Sequence, residues 1–241
     1  MTIHIIITML LLLAFLIGSI WFTKKKYQIN LAVLGLGAVA FFVSSQILEK
    51  LVHILILHPQ KDGSIALLQD HPLIYIIYGL AMAAFFEETA RLVFFKWLEK
   101  KRSLEKADAL ELIFLGLISL LNLYIVLSAV QTQNPQVMQL LSENMLKTIQ
   151  SLSVWQIYLL GFERILALGF QLLLTVWVYQ AVRQKKWIYL LAAYGLHAFF
   201  DLAPSLFQVG WLTNPVLVEV ILALELVLVA YGTKEIFCKK S

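Results

Sequence analysis

The chain has 241 residues, of which 61% are hydrophobic and 14% charged, with a mean hydropathy of +0.82. Soluble globular domains are about half apolar and about a quarter charged, so this balance excludes an ordinary soluble fold. The net charge of +4 sits in loops suited to anionic lipid and gives no sign of a nucleic-acid partner.

Crossing a bilayer as a helix takes about 20 apolar residues. Such runs occur near 1–22, 29–56, 72–95, 109–130, 155–180, 187–207 and 215–232. They predict an all-α membrane protein, a bundle of about seven transmembrane helices forming one polytopic domain over 1–241. After the first run comes Lys24-Lys25-Lys26, the polarity of an anchor with its N-terminus outside and not of a signal peptide. Fourteen of the 19 Lys and Arg fall in 24–26, 96–106, 183–186 and 234–240. By the positive-inside rule these segments are cytoplasmic, which predicts a multi-pass cell-membrane protein with N-terminus outside and C-terminus inside. The single cysteine, Cys238, has no partner for a disulfide.

The loop "LHPQKDGSIALLQDH" (57–71) contains His58, Asp62, Asp70 and His71. Loop residues of these types are usually solvated, and no metal site is read there. The third run is different, because a charge at mid-bilayer costs about 2.5–3.5 kcal/mol on insertion scales and so needs a partner, a cavity or a function. It holds Glu87, Glu88 and Arg91. Gly79, Ala83, Glu87 and Arg91 recur every four residues and form one stripe, along which Glu87 and Arg91 can pair and the small residues let a neighbouring helix approach. Glu88 points about 100° away from it.

Residues 134–153 place Val137, Leu140, Leu141, Met145 and Ile149 on one face, predicting a short amphipathic helix on the membrane surface. The fifth run carries Glu163 and Arg164. The sixth carries His197 and Asp201 one turn apart, on a face that includes Ala193. A Pro/Gly-punctuated turn follows over 203–215, with Trp211 as an interfacial anchor. On the last run Glu219 and Glu225 are six residues apart and point about 120° away from each other, so they do not serve one site.

Counting helix rise from the ends places Glu87, Glu163, His197 and Asp201 at overlapping depths. One shared cavity among the third, fifth and sixth helices is the expected solution. Glu87, Glu88, Glu163 and Asp201 set four negative charges against Arg91 and Arg164. At least one carboxyl is therefore expected to hold its proton near neutral pH, the condition for acid–base work. The structural alternative is that Glu87–Arg91 and Glu163–Arg164 are ion pairs that staple the bundle.

The order "EETAR" (87–91), "FERILALGFQLLLTVWVYQAVRQKK" (162–186) and "LLAAYGLHAFFDL" (190–202) resembles the YhfC family of intramembrane peptidases. That family is itself similar to the CAAX-processing and bacteriocin-immunity type of glutamic membrane protease. The resemblance covers roughly 70–205 and implies that Glu87 or Glu88 activates a water, that Arg91 holds the carboxylate pair, and that His197 and Asp201 complete the polar site. Glu163 and Arg164 match the family's Glu-Arg on the fifth helix. Two positions depart from the pattern: Ser119, in "GLISLLNLY" (116–124), and Gln171 stand where histidines are expected. One histidine among carboxylates is a poor zinc cage, so no metal and no cofactor is expected.

The resulting expectation is a glutamic-type intramembrane endopeptidase acting on a membrane-embedded or membrane-proximal peptide, with catalytic residues Glu87, Glu88, Arg91, Glu163, His197 and Asp201. The alternative is a catalytically degenerate relative that binds or protects a membrane partner. A small transporter is less favoured, for want of inverted repeats.

Overall fold

A computed structural model of the chain describes residues 2–27, 31–60, 64–101, 147 and 150–237. The elements in order are α1 (Thr2–Tyr27), α2 (Leu31–Phe41), a π-helical segment (Phe42–Leu48), α3 (Glu49–Leu57), α4 (Ala66–Asp70), α5 (Pro72–Lys101), α6 (Val154–Arg183), α7 (Trp187–Phe200), α8 (Leu202–Gln208) and α9 (Pro215–Phe237). Among the described residues there is no strand, and six stretches are long and apolar enough to span a membrane. These are Ile3–Phe22, Gly35–Leu57, Pro72–Lys101, Val154–Arg183, Trp187–Gln208 and Pro215–Phe237. They match six of the seven expected runs. The run at 109–130, Cys238 and most of the amphipathic stretch lie outside the described residues. Within that stretch Lys147, Gln150 and Ser151 are helical and exposed.

Local chemistry sets the helix ends. α3 stops where His58 turns left-handed (φ 44°) just before Pro59. α5 and α9 open on proline, whose missing N–H costs nothing at a first helical position. Ser153 and Gln156 form a reciprocal capping box at the start of α6. Asn214 Oδ1 caps α9, accepting from Val216 N at 3.0 Å.

Two expectations of regular structure give way. The second run is interrupted by the π-helical segment, in which Glu49 N–H reaches back to Ser44 O. The connection 203–215 is helical as far as Gln208 and turns only beyond it, through Gly210 at φ 78°. The sixth run is broken at Asp201 for a definable reason. Pro204 cannot donate to the carbonyl of Phe200 four residues back, and its ring crowds that carbonyl, so α7 ends at Phe200 and α8 begins at Leu202.

The long α6 is central and packs against α1, α5, α7 and α9. Its buried face carries Phe170, Leu174, Trp177 and Val178, which meet Phe95 of α5, Leu190 of α7 and Leu222 of α9. Phe170 and Phe200 stack with centroids 3.9 Å apart, and Trp177 Nε1 donates to Thr233 Oγ1 at 2.9 Å. The outer surface is apolar in the opposite sense, with Leu55, Val227 and Leu228 each about two-thirds exposed. Water would not tolerate so continuous an apolar surface, whereas lipid tails match it. At one end of the bundle the basic termini of the helices gather: Lys96 lies 4.7 Å over Trp187, and Trp177 meets Phe237 at 5.0 Å.

Candidate functional site

Glu87, Glu88 and Arg91 lie on α5, His197 and Asp201 at the end of α7, and Gln171 on α6. Helical spacing places both glutamates within reach of Arg91, three and four residues on. The guanidinium uses both: Nη1 donates to Glu88 Oε1, and Nη2 lies 3.7 Å from Glu87 Oε2. Glu88 is fully buried (0% exposed), as are Arg91 and His197, whereas the Glu87 side chain retains 16% exposure. The 100° offset between the glutamates thus separates an inner carboxylate from one at the edge of the site.

His197 ties α7 to this pair. Its Nδ1 lies 2.6 Å from Glu88 Oε1, and because an ionised carboxylate only accepts, Nδ1 carries the proton. Nε2 then faces Glu87 Oε2 at 3.8 Å and Asp201 Oδ2 at 3.3 Å. A carboxylate on one ring nitrogen that fixes the tautomer and aims the other is the usual support of a ligating or catalytic histidine.

Gln171 Nε2 donates to Glu87 Oε2 at 2.8 Å. The position singled out as a departure from the family pattern is therefore in direct contact with the site. Glu163 is not. It stands eight residues, or about 12 Å along the helix, from Gln171, pairs with Arg164 at 3.5 Å, and lines a separate cavity with Gln156 and Glu219. Similar depth does not fix rotation about the α6 axis, and the rotation that brings Gln171 to Glu87 turns Glu163 elsewhere. Side chains of α5, α6 and α7 meet in one polar cluster, with Gln171 as the α6 contribution in place of Glu163 and Arg164. Glu219 and Glu225 are both buried, and Glu219 lines the cavity that holds Glu163.

Beside Asp201 opens a cavity of about 450 Å³. Gly79 and Ala83 line it, and a Cβ placed on Gly79 would meet nothing within 4 Å. The small residues of the α5 stripe thus leave room for this space, where a closely packed neighbouring helix was expected. Glu49, His53, Tyr75, Tyr78 and Gln208 also face it. Sequence reading passed over Glu49 and His53, although an acid and a histidine one turn apart in an apolar run repeat the His197–Asp201 signal. The loop residues His58, Asp70 and His71 are exposed, and among the described residues they form no ligand cluster.

The charge balance is uneven. Glu87, Glu88 and Asp201 bring three carboxylates to one guanidinium, so two negative charges remain if His197 is neutral. Ligand-type atoms of Glu87, Glu88 and His197 lie within 4.8 Å of one another, and Glu88 Oε2 is buried without a hydrogen-bond partner. Two unbalanced charges, converging acceptors and an orphan oxygen fit a divalent cation, and the oxygen-rich donor set suits a harder ion better than a thiolate site would. No metal was expected from the sequence. The geometry provides for one.

The family described as YhfC intramembrane metalloprotease matches residues 8–222. The chain belongs to this family. The match extends well beyond the 70–205 segment that carries the motifs and runs from within α1 into the first third of α9. The chain is also 33% identical to a protein of Bacillus subtilis (strain 168) named uncharacterized membrane protein YhfC, with 89% of this chain and 88% of the relative covered. No solved structure matches.

Proposed function

We propose that the protein is an intramembrane endopeptidase that hydrolyses a peptide bond in or near the bilayer, with a metal-dependent site. The observation that carries this is Asp201, which belongs both to the His197 cluster and to the wall of the 450 Å³ cavity. A polar centre that touches a space of ligand size, about 300–1,000 Å³, can meet a substrate. The family description and the charge deficit support the metal.

Glu87, Glu88 and His197 would hold a divalent ion, which when bound supplies positive charge to polarise the substrate carbonyl and acidify water. The chain's own groups do the rest. Arg91 and the Nδ1–H of His197 hold Glu88 rigid. Gln171 orients Glu87. Asp201 Oδ2, at the cavity wall, is placed to accept a proton from water and return it to the leaving amine. The basic helix ends gathered at one face support an N-terminus outside and a C-terminus in the cytoplasm.

A metal-independent glutamic mechanism is the second reading, favoured by Arg91, whose guanidinium already neutralises Glu88. In it Glu87, the less buried glutamate, takes the proton from water, and a protonated His197 steadies the oxyanion. The deciding experiment is hydrolysis of a membrane peptide by the purified protein before and after dialysis against a chelator. Loss of cleavage with recovery on adding a divalent metal supports the first reading, and indifference to chelation supports the second. Peptide binding without cleavage, even with Ser119 and Gln171 both changed to histidine, would show a non-catalytic binding protein.

A further inference from the structure

The geometry points to Glu49 as a specificity-determining residue that selects a substrate segment carrying a basic side chain, by pairing its ammonium or guanidinium inside the cavity. This rests on the reading of that cavity as the substrate site.

Glu49 lies inside a membrane-spanning stretch, eight residues and about 12 Å of helix from the end of α3. An ionisable group at such a depth demands a role or a partner. The π-helical segment immediately before it decides where it points. Each π-turn admits an extra residue, which rotates everything beyond it by about 100° relative to an uninterrupted α-helix, and such segments cluster at functional sites. Buried Ser44 pins the segment by donating to Phe86 O at 2.8 Å. Glu49, the first residue beyond the segment, lines the cavity.

The side chain is held as a recognition group is held. His53 Nε2 lies 3.3 Å from Glu49 Oε1, and His53 Nδ1 lies 2.9 Å from the Tyr78 hydroxyl. Among the described residues, Glu49 Oε2 makes no protein hydrogen bond, so one oxygen is anchored and the other is available. Asp201 lines the same cavity. Among the described residues the wall carries these two carboxylates and the Tyr75 and Tyr78 phenols, with no lysine or arginine. Each carboxylate has a histidine beside it, His53 for Glu49 and His197 for Asp201, and Lys50 follows Glu49 in the chain. Among the described residues, however, no fixed cation lines the wall, so one that arrives with the ligand adds attraction to both, and tyrosine rings beside them favour the same charge. A neutral side chain brings no charge to match the carboxylates and an acidic one is repelled by them, which is how a polar pocket rejects the wrong substrate.

The test uses the full chain in nanodiscs and three membrane-spanning peptides of about 20 apolar residues. They are identical except at one position, scanned along the peptide, which carries Lys, norleucine or Glu. Both kcat/KM for cleavage and Kd for binding are measured. The Lys peptide is expected to exceed the norleucine peptide about tenfold at the position that reaches Glu49, the size of one well-placed charged contact. Glu49→Gln should bring that ratio to about one, and Glu49→Lys should invert it in favour of the Glu peptide. A purely structural role would lower all three peptides together and keep their ratio, and that result overturns the proposal. So does a native protein that shows no charge preference while cleaving, in which case the peptidase reading survives alone. Glu49-dependent binding of the Lys peptide without any cleavage would instead uphold the selectivity and remove the peptidase. Failure to bind any peptide would overturn both.

Discussion

Glu88 offers the most quantitative test, because the surrounding structure states what its removal leaves behind. Its carboxylate is fully buried and receives both the Arg91 guanidinium and His197 Nδ1. Each charge-assisted bond contributes about 1.5–3 kcal/mol. Glu88→Ala also takes from Arg91, which is only 2% exposed, the closer of its two carboxylates and leaves Glu87 at 3.7 Å, so part of the penalty for an unpaired buried charge, about 3–5 kcal/mol, is added. Part of that strain disappears if Arg91 is removed as well. The double variant Glu88→Ala/Arg91→Ala should therefore be less destabilised than the sum of the two single changes, by about 1.5–3 kcal/mol. Reversible unfolding in mixed micelles, followed by helix content as denaturing detergent is titrated in, measures all four members of the cycle. A Glu88→Ala cost below about 1 kcal/mol, or additivity within about 0.5 kcal/mol, would show that the pair is not coupled in the folded protein and would refute the assigned geometry.

Other consequences concern chemistry and access. Glu87→Gln keeps the Gln171 contact in outline but removes the charge at the edge of the site, so cleavage should fall by about 10²–10⁴-fold with unfolding unchanged; full activity would remove Glu87 from the mechanism. Gln171→His places an imidazole where the amide now meets Glu87 at 2.8 Å, adding a ligand of the kind zinc prefers. Its affinity for a divalent metal, read by calorimetry on the purified protein, should rise about tenfold or more, and an unchanged affinity would argue against metal at this position. Gly79→Leu meets open space at its Cβ and replaces a poor helix former by a good one, a change worth up to about 1 kcal/mol in favour of the fold. It should preserve stability yet raise KM by filling part of the cavity, so an unaltered KM would show that substrate enters elsewhere.

Composition and helical spacing are enough to put this chain in a bilayer and to mark the residues that cannot be there by accident. Hydropathy alone locates six of the spans found, because lipid demands about 20 apolar residues with internally satisfied backbone. The spacing of Glu87, Glu88 and Arg91 already dictates that one guanidinium can reach both carboxylates, since neighbours three and four apart share a helix face whatever surrounds them. The same holds for His197 and Asp201. Tertiary structure alone decided how the helices are rotated against one another. That rotation sends Gln171 to Glu87 and turns Glu163 with Arg164 toward Glu219, although depth admitted all of them. It is set by packing of Phe170, Leu174 and Val178 against three other helices, contacts that no local pattern encodes. The π-helical segment that precedes Glu49 belongs to the same category, because a run of apolar residues reads alike with either hydrogen-bond register. Helical periodicity fixes faces within one element, and only packing between elements chooses which faces meet.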